Sequence, residues 1–296
     1  MKDSRQPPEV VLVTGAAGKT GRAVIGGLVA NGVAVRAFVR NPQQRLAVEL
    51  LGADQVVEGD LLDGEAVIAA VGGAHSIYHI CPNVNPDETD IGRRVITAAR
   101  EAGVERFALH SVLHPQTEAM PHHWAKLRVE ELLLESGLPF TILQPAPYMQ
   151  NILGQWERIA RQGIYSVPYA LSSRIAMVDL EDVAAVAVRI LSEPHHAGAT
   201  YELCGPDQLD QIEIATLLGR HLGTTVRAET LPLEVWSRSA NCSPGSYPFE
   251  TLVSMFRYYE RHGMAGSSGV LEWLLDRPPT GLADFLEKQS GRAAHS

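Results

Sequence analysis

A glycine-rich turn, Gly15–Gly21 with the sequence GAAGKTG, lies between a strand-like segment and a helix-like segment. Gly15 permits a tight turn, Gly18 lets the backbone approach an anion, and Gly21 lets the helix pack closely on the strand. The first N–H groups of the helix would then face that anion. The glycine spacing, GxxGxxG, differs from the common dinucleotide-binding spacing GxGxxG and from the spacing of a Walker loop. It predicts a dinucleotide site formed by Gly15, Ala17, Gly18, Lys19, Thr20 and Gly21.

The residue that follows the second predicted strand bears on which dinucleotide binds. The segment Val35–Val39 is followed by Arg40, and no Asp or Glu lies there to accept from a ribose 2′-hydroxyl, as NAD sites usually provide. A guanidinium at this position would pair with a 2′-phosphate through charge-assisted hydrogen bonds. The sequence therefore favours NADP(H), with a solvated surface arginine as the alternative.

Further cofactor contacts are expected after the other strands, because ligands bind beyond the carboxyl ends of parallel strands. Asp60 would accept from the adenine amino group while the backbone N–H of Leu61 contacts the ring. The alternative for Asp60 is a simple cap on the next helix. The remaining expected cofactor contacts are Ile80, Cys81, Pro82, Pro145, Ala146, Pro147 and Tyr148.

These residues depend on an alternation of strands and helices in the first half of the chain. Such alternation predicts an α/β fold in which residues 1–150 form a Rossmann-type, doubly wound parallel sheet. The strands are predicted at Val10–Thr14, Val35–Val39, Gln55–Glu58, Ser76–Ile80, Arg106–Ser111 and Phe140–Gln144. The clearest helices between them are predicted at Thr20–Ala30, Ile91–Ala102 and Trp124–Ser136.

Residues 151–296 show a mixed pattern that predicts a smaller C-terminal lobe, interleaved with the first part and binding the substrate. Its aromatic side chains would suit a flat molecule. Helices are predicted at Asp182–Leu191, Gln211–Leu222 and Phe249–His262, and a loop at Ser237–Ser246.

Composition excludes several classes of function. A net charge of −9 without a Lys/Arg cluster argues against nucleic-acid binding. No apolar run approaches the ~20 residues that span a bilayer. Three widely spaced cysteines and a polar start, Met1–Pro8, predict a reducing, cytoplasmic location. No His, Cys and carboxylate cluster has metal-ligand spacing, so no metal is predicted.

Taken together, these segments resemble the NmrA-like branch of the atypical short-chain dehydrogenases, over almost the whole chain. The resemblance implies either an NADPH-dependent reductase of quinones, dyes or unsaturated phenolics, or a redox-sensing regulator that binds the cofactor without turnover. The matching stretches are VTGAAGKTG from Val13, VRNP from Val39, GDL from Gly59, Lys126 with Glu130, FTILQP from Phe140, DLEDVA from Asp179, YELCGP from Tyr201, and RPP from Arg277 with Asp284-Phe285.

The resemblance also implies catalytic positions, and this sequence departs from one of them. Short-chain dehydrogenases use a serine and a Tyr-x-x-x-Lys. Ser111 and Lys126 match, and the resemblance implies that Lys126 also contacts the nicotinamide ribose of the cofactor, but His122 stands in place of the tyrosine. The proton could come from His122, from Tyr148 or His114, or from water when the acceptor takes hydride readily. The alternatives to catalytic roles are that Lys126 faces solvent and that Ser111 only forms hydrogen bonds with backbone groups.

The favoured hypothesis is an NADPH-dependent reductase that transfers hydride to a quinone, a dye or another flat conjugated or carbonyl compound. The alternative is a non-catalytic NADP(H) sensor that acts through a protein partner. A nucleotide-sugar isomerase or epimerase is disfavoured by the missing Tyr-x-x-x-Lys. The chain is expected to act as a monomer or homodimer.

Overall fold

A computed structural model of the chain describes residues 9–293, with side chains described to residue 289. The prediction drawn from Met1–Pro8 falls outside this part. The strands are β1 (Val10–Val13), β2 (Ala34–Val39), β3 (Gln55–Glu58), β4 (Ser76–His79), β5 (Arg106–His110), β6 (Phe140–Pro145), β7 (Ile164–Val167), β8 (Ile175–Ala176), β9 (Ala199–Leu203), β10 (Gln208–Leu209) and β11 (Arg227–Thr230).

The helices lie mostly between and after these strands. They are α1 (Lys19–Ala30), α2 (Pro42–Glu49), α3 (Gly64–Val71), α4 (Glu88–Glu101), α5 (Pro121–Leu134), α6 (Trp156–Gln162), α7 (Leu180–Ser192), α8 (Gln211–Leu222), α9 (Leu233–Ser239), α10 (Tyr247–His262), α11 (Gly269–Leu275) and α12 (Leu282–Ala293). A 3-10 helix, Met149–Gln155, follows β6.

The main sheet has seven parallel strands in the order β3-β2-β1-β4-β5-β6-β9. The chain runs outward from β1 to β3 and then crosses back to β4, so the strand order reverses between β1 and β4. A crevice opens at such a reversal, beyond the carboxyl ends of the strands. The prediction of an α/β, Rossmann-type doubly wound sheet is confirmed.

Apolar side chains on both faces of the sheet hold it to the helices. All four residues of β1 are buried, which is why its sequence VVLV shows no alternation. One core cluster contains Val24 of α1 and Val183 of α7, and the other contains Val95 of α4 and Val129 of α5. The sheet is therefore covered by α1 and α7 on one face and by α4 and α5 on the other.

The second part of the chain returns to the main sheet. Strand β9 pairs with β6, with Leu143 opposite Tyr201, and supplies the seventh strand. Two small sheets, β7 with β11 and β8 with β10, lie outside it. This interleaving agrees with the expected return of the chain, while a boundary at residue 150 stays a prediction.

Several predicted element boundaries are wrong, and helix α4 begins at Glu88 rather than at Ile91. Helix α5 begins at Pro121, not Trp124, because a proline suits the first helical position; His122 and His123 therefore lie in its first turn. Ser237–Ser239 belong to α9 rather than to a loop. Within residues 9–293, no helix combines the length and apolar character needed to cross a membrane.

Candidate functional site

The glycine turn is packed so tightly that side chains are excluded from two of its positions. Gly15 has a φ of +58°, and a Cβ added to it would lie 2.8 Å from the carbonyl oxygen of Ile80. A Cβ on Gly21 would lie 2.4 Å from the carbonyl oxygen of Gly15. The turn thus fits between the ends of β1 and β4 only because these residues are glycines.

The start of α1 carries free hydrogen-bond donors. Its N-cap residue is Gly18, and no side chain among the described residues caps it. The Gly18 N–H donates to Gly15 O at 3.0 Å, and the Arg22 N–H donates to Gly18 O. The first N–H groups of a helix otherwise lack partners and carry a partial positive charge. This end of α1 is suited to bind a phosphate group.

Arg40 lies exposed directly after β2. Its backbone N–H donates to Gln44 Oε1 at 2.8 Å, but its guanidinium makes no hydrogen bond or ion pair with the described residues. Arg45 differs, because its guanidinium pairs with Glu58 at 2.5 Å and with Glu49 at 3.3 Å. Arg40 is thus an available cation at the carboxyl end of the sheet.

The acidic residues after β3 have separate roles. Asp60 is exposed, and its Oδ1 accepts from the Leu62 N–H at 2.9 Å. The cap of α3 is Asp63, which accepts from the N–H groups of Glu65 and Ala66. The alternative of Asp60 as the helix cap is therefore wrong, because α3 begins four residues after it. Next to Asp60, the Leu61 side chain is buried.

The segment after β4 lines the glycine turn. The Ile80 N–H donates to Thr14 Oγ1 at 2.9 Å, which ties the ends of β4 and β1 together. Cys81 is buried, and burial raises the pKa of its thiol well above the usual value. The thiol is therefore neutral, and Cys81 packs within an apolar cluster. Pro82 is half-buried beside it.

Beyond β6, Tyr148 reaches back toward α1 and β5. Its Oη lies 2.6 Å from His110 Nε2 and accepts from Thr20 Oγ1 at 3.3 Å. On the other side of the imidazole, His110 Nδ1 lies 2.8 Å from the hydroxyl of Tyr78. Burial, followed by the charge of Lys126, lowers the pKa of His110 to about 3, so the imidazole is neutral.

The three residues before Tyr148 shape this turn through their backbones. The Ala146 N–H donates to Leu203 O at 2.9 Å, and Pro145 O accepts from the Leu113 N–H at 2.9 Å. Pro147 O accepts from the Val178 N–H at 3.0 Å. The backbone of Pro145–Pro147 is therefore fixed by β9 and by the segments that follow β5 and β8, which holds Tyr148 in place.

Lys126 is buried in an ion pair, which contradicts the alternative of a solvent-facing lysine. Its Nζ lies 2.5 Å from Glu88 Oε1, and the Glu88 side chain is only 3% exposed. Burial alone would lower the pKa of Lys126, but the attraction to Glu88 outweighs it and the pKa is raised. Glu88 Oε2 has no hydrogen-bond partner among the described residues.

Ser111 is buried and its hydroxyl donates to Glu130 Oε1. Gln144 Nε2 donates to both oxygens of the same carboxylate at 3.0 Å. Burial raises the pKa of Glu130, although these two hydrogen bonds act against the shift. The Ser111 hydroxyl thus serves a buried carboxylate, and its predicted catalytic role remains a prediction.

The two histidine candidates lie in different settings. His114 has a φ of +54°, and its Nε2 lies 2.7 Å from the carbonyl oxygen of Ala265. His122 is buried against His123, with ring centroids 4.5 Å apart. Burial, then His123 and Lys126, lower the pKa of His122 to about 3. His122 is therefore neutral at physiological pH and has no imidazolium proton to give.

A family model, the NmrA-like family, matches residues 7–289 of the chain. The chain belongs to the NmrA-like family. The resemblance noted from the glycine turn, Lys126 and the later motifs is thereby confirmed.

Several relatives of this NmrA-like chain are named as reductases or oxidoreductases. It is 31% identical over 282 residues, 93% of this chain and 96% of the relative, to the (4-alkanoyl-5-oxo-2,5-dihydrofuran-3-yl)methyl phosphate reductase of Streptomyces griseus. It is 30% identical over 227 residues, 76% of this chain and 78% of the relative, to the NAD(P)H azoreductase of Xenophilus azovorans.

A solved structure with a bound cofactor is also similar. It is the NADPH-dependent quinone oxidoreductase QOR2 of Escherichia coli in complex with NADPH. The identity is 27% and the TM-score is 0.81, over 95% of this chain and 99% of that one.

Sequence reasoning missed three buried polar residues at the site of this NmrA-like protein: Tyr78, His110 and Glu88. Tyr78 and His110 lie near the carboxyl ends of the adjacent strands β4 and β5. A polar residue within an apolar strand, such as His110 in RFALH, is the signal that would have found them. Among the described residues, no group of three or more His, Cys, Asp or Glu side chains is placed to hold a metal ion.

Proposed function

We propose that this protein is an NADPH-dependent reductase that transfers hydride to a quinone, a dye or another flat conjugated or carbonyl compound. The observation that carries the proposal is the glycine turn, where a Cβ on Gly21 would meet backbone at 2.4 Å. The named activities of the azoreductase and quinone oxidoreductase relatives support the same reaction class.

The residues at the site fit a dinucleotide with a 2′-phosphate. The uncapped start of α1 would hold the pyrophosphate, and Arg40 would hold the 2′-phosphate. Asp60 and Leu61 would contact the adenine, and Ile80, Cys81 and Pro82 would line the adjoining ribose. When bound, NADPH supplies the hydride.

The substrate is proposed to bind between the glycine turn and the second part of the chain. An open cavity of about 810 Å³ within the second part of the chain adjoins this region at Asn151, whose Oδ1 accepts from Lys19 Nζ at 3.2 Å. Trp156 and Trp236 line it, and Arg158 adds a cationic group. Flat aromatic molecules suit such a lining. Cytoplasmic location and a monomeric or homodimeric state remain predictions.

The decisive test is the oxidation of NADPH, followed by its absorbance, with menadione, an azo dye and a cationic triphenylmethane dye as acceptors. We expect turnover with at least one of them. NADPH binding without turnover of any acceptor would favour the sensor over the reductase.

Arg40→Ala is expected to weaken NADPH binding about tenfold or more while NADH binding changes less than twofold. A charge-assisted hydrogen bond contributes about 1.5–3 kcal/mol, and only NADPH carries the phosphate that Arg40 would contact. Dissociation constants from cofactor fluorescence measure both. Arg161→Ala removes an exposed arginine from α6 and should change neither. Equal losses for NADPH and NADH would show that Arg40 does not recognise the 2′-phosphate.

A further inference from the structure

Four side chains form a continuous hydrogen-bonded row that links the interior of the sheet to the glycine turn. The row runs from Tyr78 through His110 to Tyr148 and then to Thr20, with spacings of 2.8, 2.6 and 3.3 Å. Tyr78 is fully buried, His110 is buried, and Tyr148 is half-buried. The row thus begins in the core and ends at α1, where the cofactor is proposed to bind.

The burial of Tyr78 decides which nitrogen of His110 carries the proton. If His110 donated through Nδ1, the Tyr78 hydroxyl proton would have no acceptor among the described residues, which costs about 1–3 kcal/mol. Tyr78 therefore donates to Nδ1, and the imidazole proton lies on Nε2. That N–H points at the Tyr148 oxygen, 2.6 Å away.

Tyr148 consequently accepts two hydrogen bonds, from His110 Nε2 and from Thr20 Oγ1. Its own proton is used by none of the described residues and can point away from both donors. Two donors on a phenol oxygen stabilise the phenolate that forms when the proton leaves. Burial raises the pKa of Tyr148, while the Thr20 hydrogen bond and the charge of Lys126 act against the rise.

The geometry points to Tyr148 as the proton donor of the reduction, oriented by His110 and Tyr78; this rests on the proposed reductase function. The quinone gains a hydride from NADPH, which is oxidised to NADP+, and its oxygen gains the Tyr148 proton as the Tyr148 O–H bond breaks. The product is the hydroquinone. Tyr148 then regains a proton from solvent once the hydroquinone has left the site.

His110 and Tyr78 act as positioning residues and do not carry the proton onward. Passing a proton along the row would leave a phenolate on Tyr78, which is fully buried. Burial raises the pKa of Tyr78 well above its usual value, so this state is disfavoured. The row sets the direction of the Tyr148 hydroxyl.

Two acceptors with different proton requirements test this role. Menadione needs a hydride and a proton, whereas a cationic triphenylmethane dye becomes neutral on taking hydride alone. Tyr148→Phe should lower kcat for menadione about a hundredfold. Any loss of cofactor binding in this variant should affect both acceptors alike, so the ratio of the menadione kcat to the dye kcat should fall about a hundredfold. Tyr78→Phe should lower kcat for menadione about tenfold, because His110 is no longer held in one tautomer.

The control is Tyr201→Phe, which removes another tyrosine–histidine hydrogen bond, 3.0 Å from His196, and should change neither acceptor. Nitrogen-15 NMR of the whole protein should show the His110 proton on Nε2. A proton on Nδ1, or a menadione kcat that Tyr148→Phe lowers less than threefold, would overturn the role proposed for Tyr148 and leave the reductase function intact. A wild-type protein that reduces neither acceptor would overturn the reductase function together with it.

Discussion

Replacing Lys126 with methionine is expected to lower the free energy of unfolding by about 3–5 kcal/mol. The substitution keeps much of the side-chain volume but leaves Glu88 charged, 3% exposed and without its partner at 2.5 Å. The second carboxylate oxygen of Glu88 already lacks a partner among the described residues, so the remaining charge would be poorly compensated. Urea denaturation of the protein without cofactor measures the loss.

Arg128→Met is the matched control for this stability prediction. Arg128 lies on the same helix, α5, and pairs with Glu131 at 2.8 Å, but both side chains are about half exposed. An exposed pair of this kind contributes only about 0–1 kcal/mol. A loss in Lys126→Met no larger than that in Arg128→Met would contradict the buried ion pair.

The double variant Lys126→Met with Glu88→Gln separates the structural role of Lys126 from its predicted role in the reaction. Removing both charges avoids the uncompensated carboxylate, so most of the lost stability should return. Reductase activity should stay low if Lys126 contacts the cofactor, because no second ammonium replaces it. A double variant as active as the wild type would limit Lys126 to a structural role.

The parts of the fold that follow from local sequence were predictable. Strand β1 is a short apolar run followed directly by the glycine turn, so strand, turn and helix α1 could be placed without tertiary information. Strand β9 could not be assigned to the main sheet. Its burial is mixed along its length, and nothing in residues 199–203 specifies pairing with β6, more than fifty residues earlier.

The same distinction applies to the candidate site. Phosphate binding depends on the backbone geometry of seven consecutive residues, Gly15–Gly21. The spacing of the glycines determines that geometry, so it could be predicted from the sequence. The setting of Lys126 depends on Glu88, 38 positions away, and that of His110 on Tyr78, 32 positions away. The first pair forms where α4 meets α5, and the second forms between the adjacent strands β4 and β5. The sequence alone therefore predicts which side chains are candidates for the site, but it does not predict their hydrogen-bond and ion-pair partners.

Gly21→Ala is expected to weaken NADPH binding at least about a hundredfold and to destabilise the protein by about 1–3 kcal/mol. The added Cβ would lie 2.4 Å from Gly15 O, 2.6 Å from Ala16 O and 2.7 Å from Ala16 Cα. All three atoms belong to the backbone, so no side-chain rotation can relieve the contact. Helix α1 must move away from the turn, which displaces the N–H groups proposed to bind the pyrophosphate.

Gly26→Ala provides a control within the same helix. A Cβ on Gly26 would meet nothing within 4 Å, so this substitution adds a methyl group without a clash. Replacing glycine by alanine inside a helix stabilises it by about 0.5–1 kcal/mol, and NADPH binding should be unchanged. The same chemical change is thus expected to lower the stability of Gly21→Ala and to raise that of Gly26→Ala. Urea denaturation measures the stability of both variants, and cofactor titration measures their NADPH binding. If Gly21→Ala instead bound NADPH as tightly as Gly26→Ala, the glycine turn would not be the cofactor site.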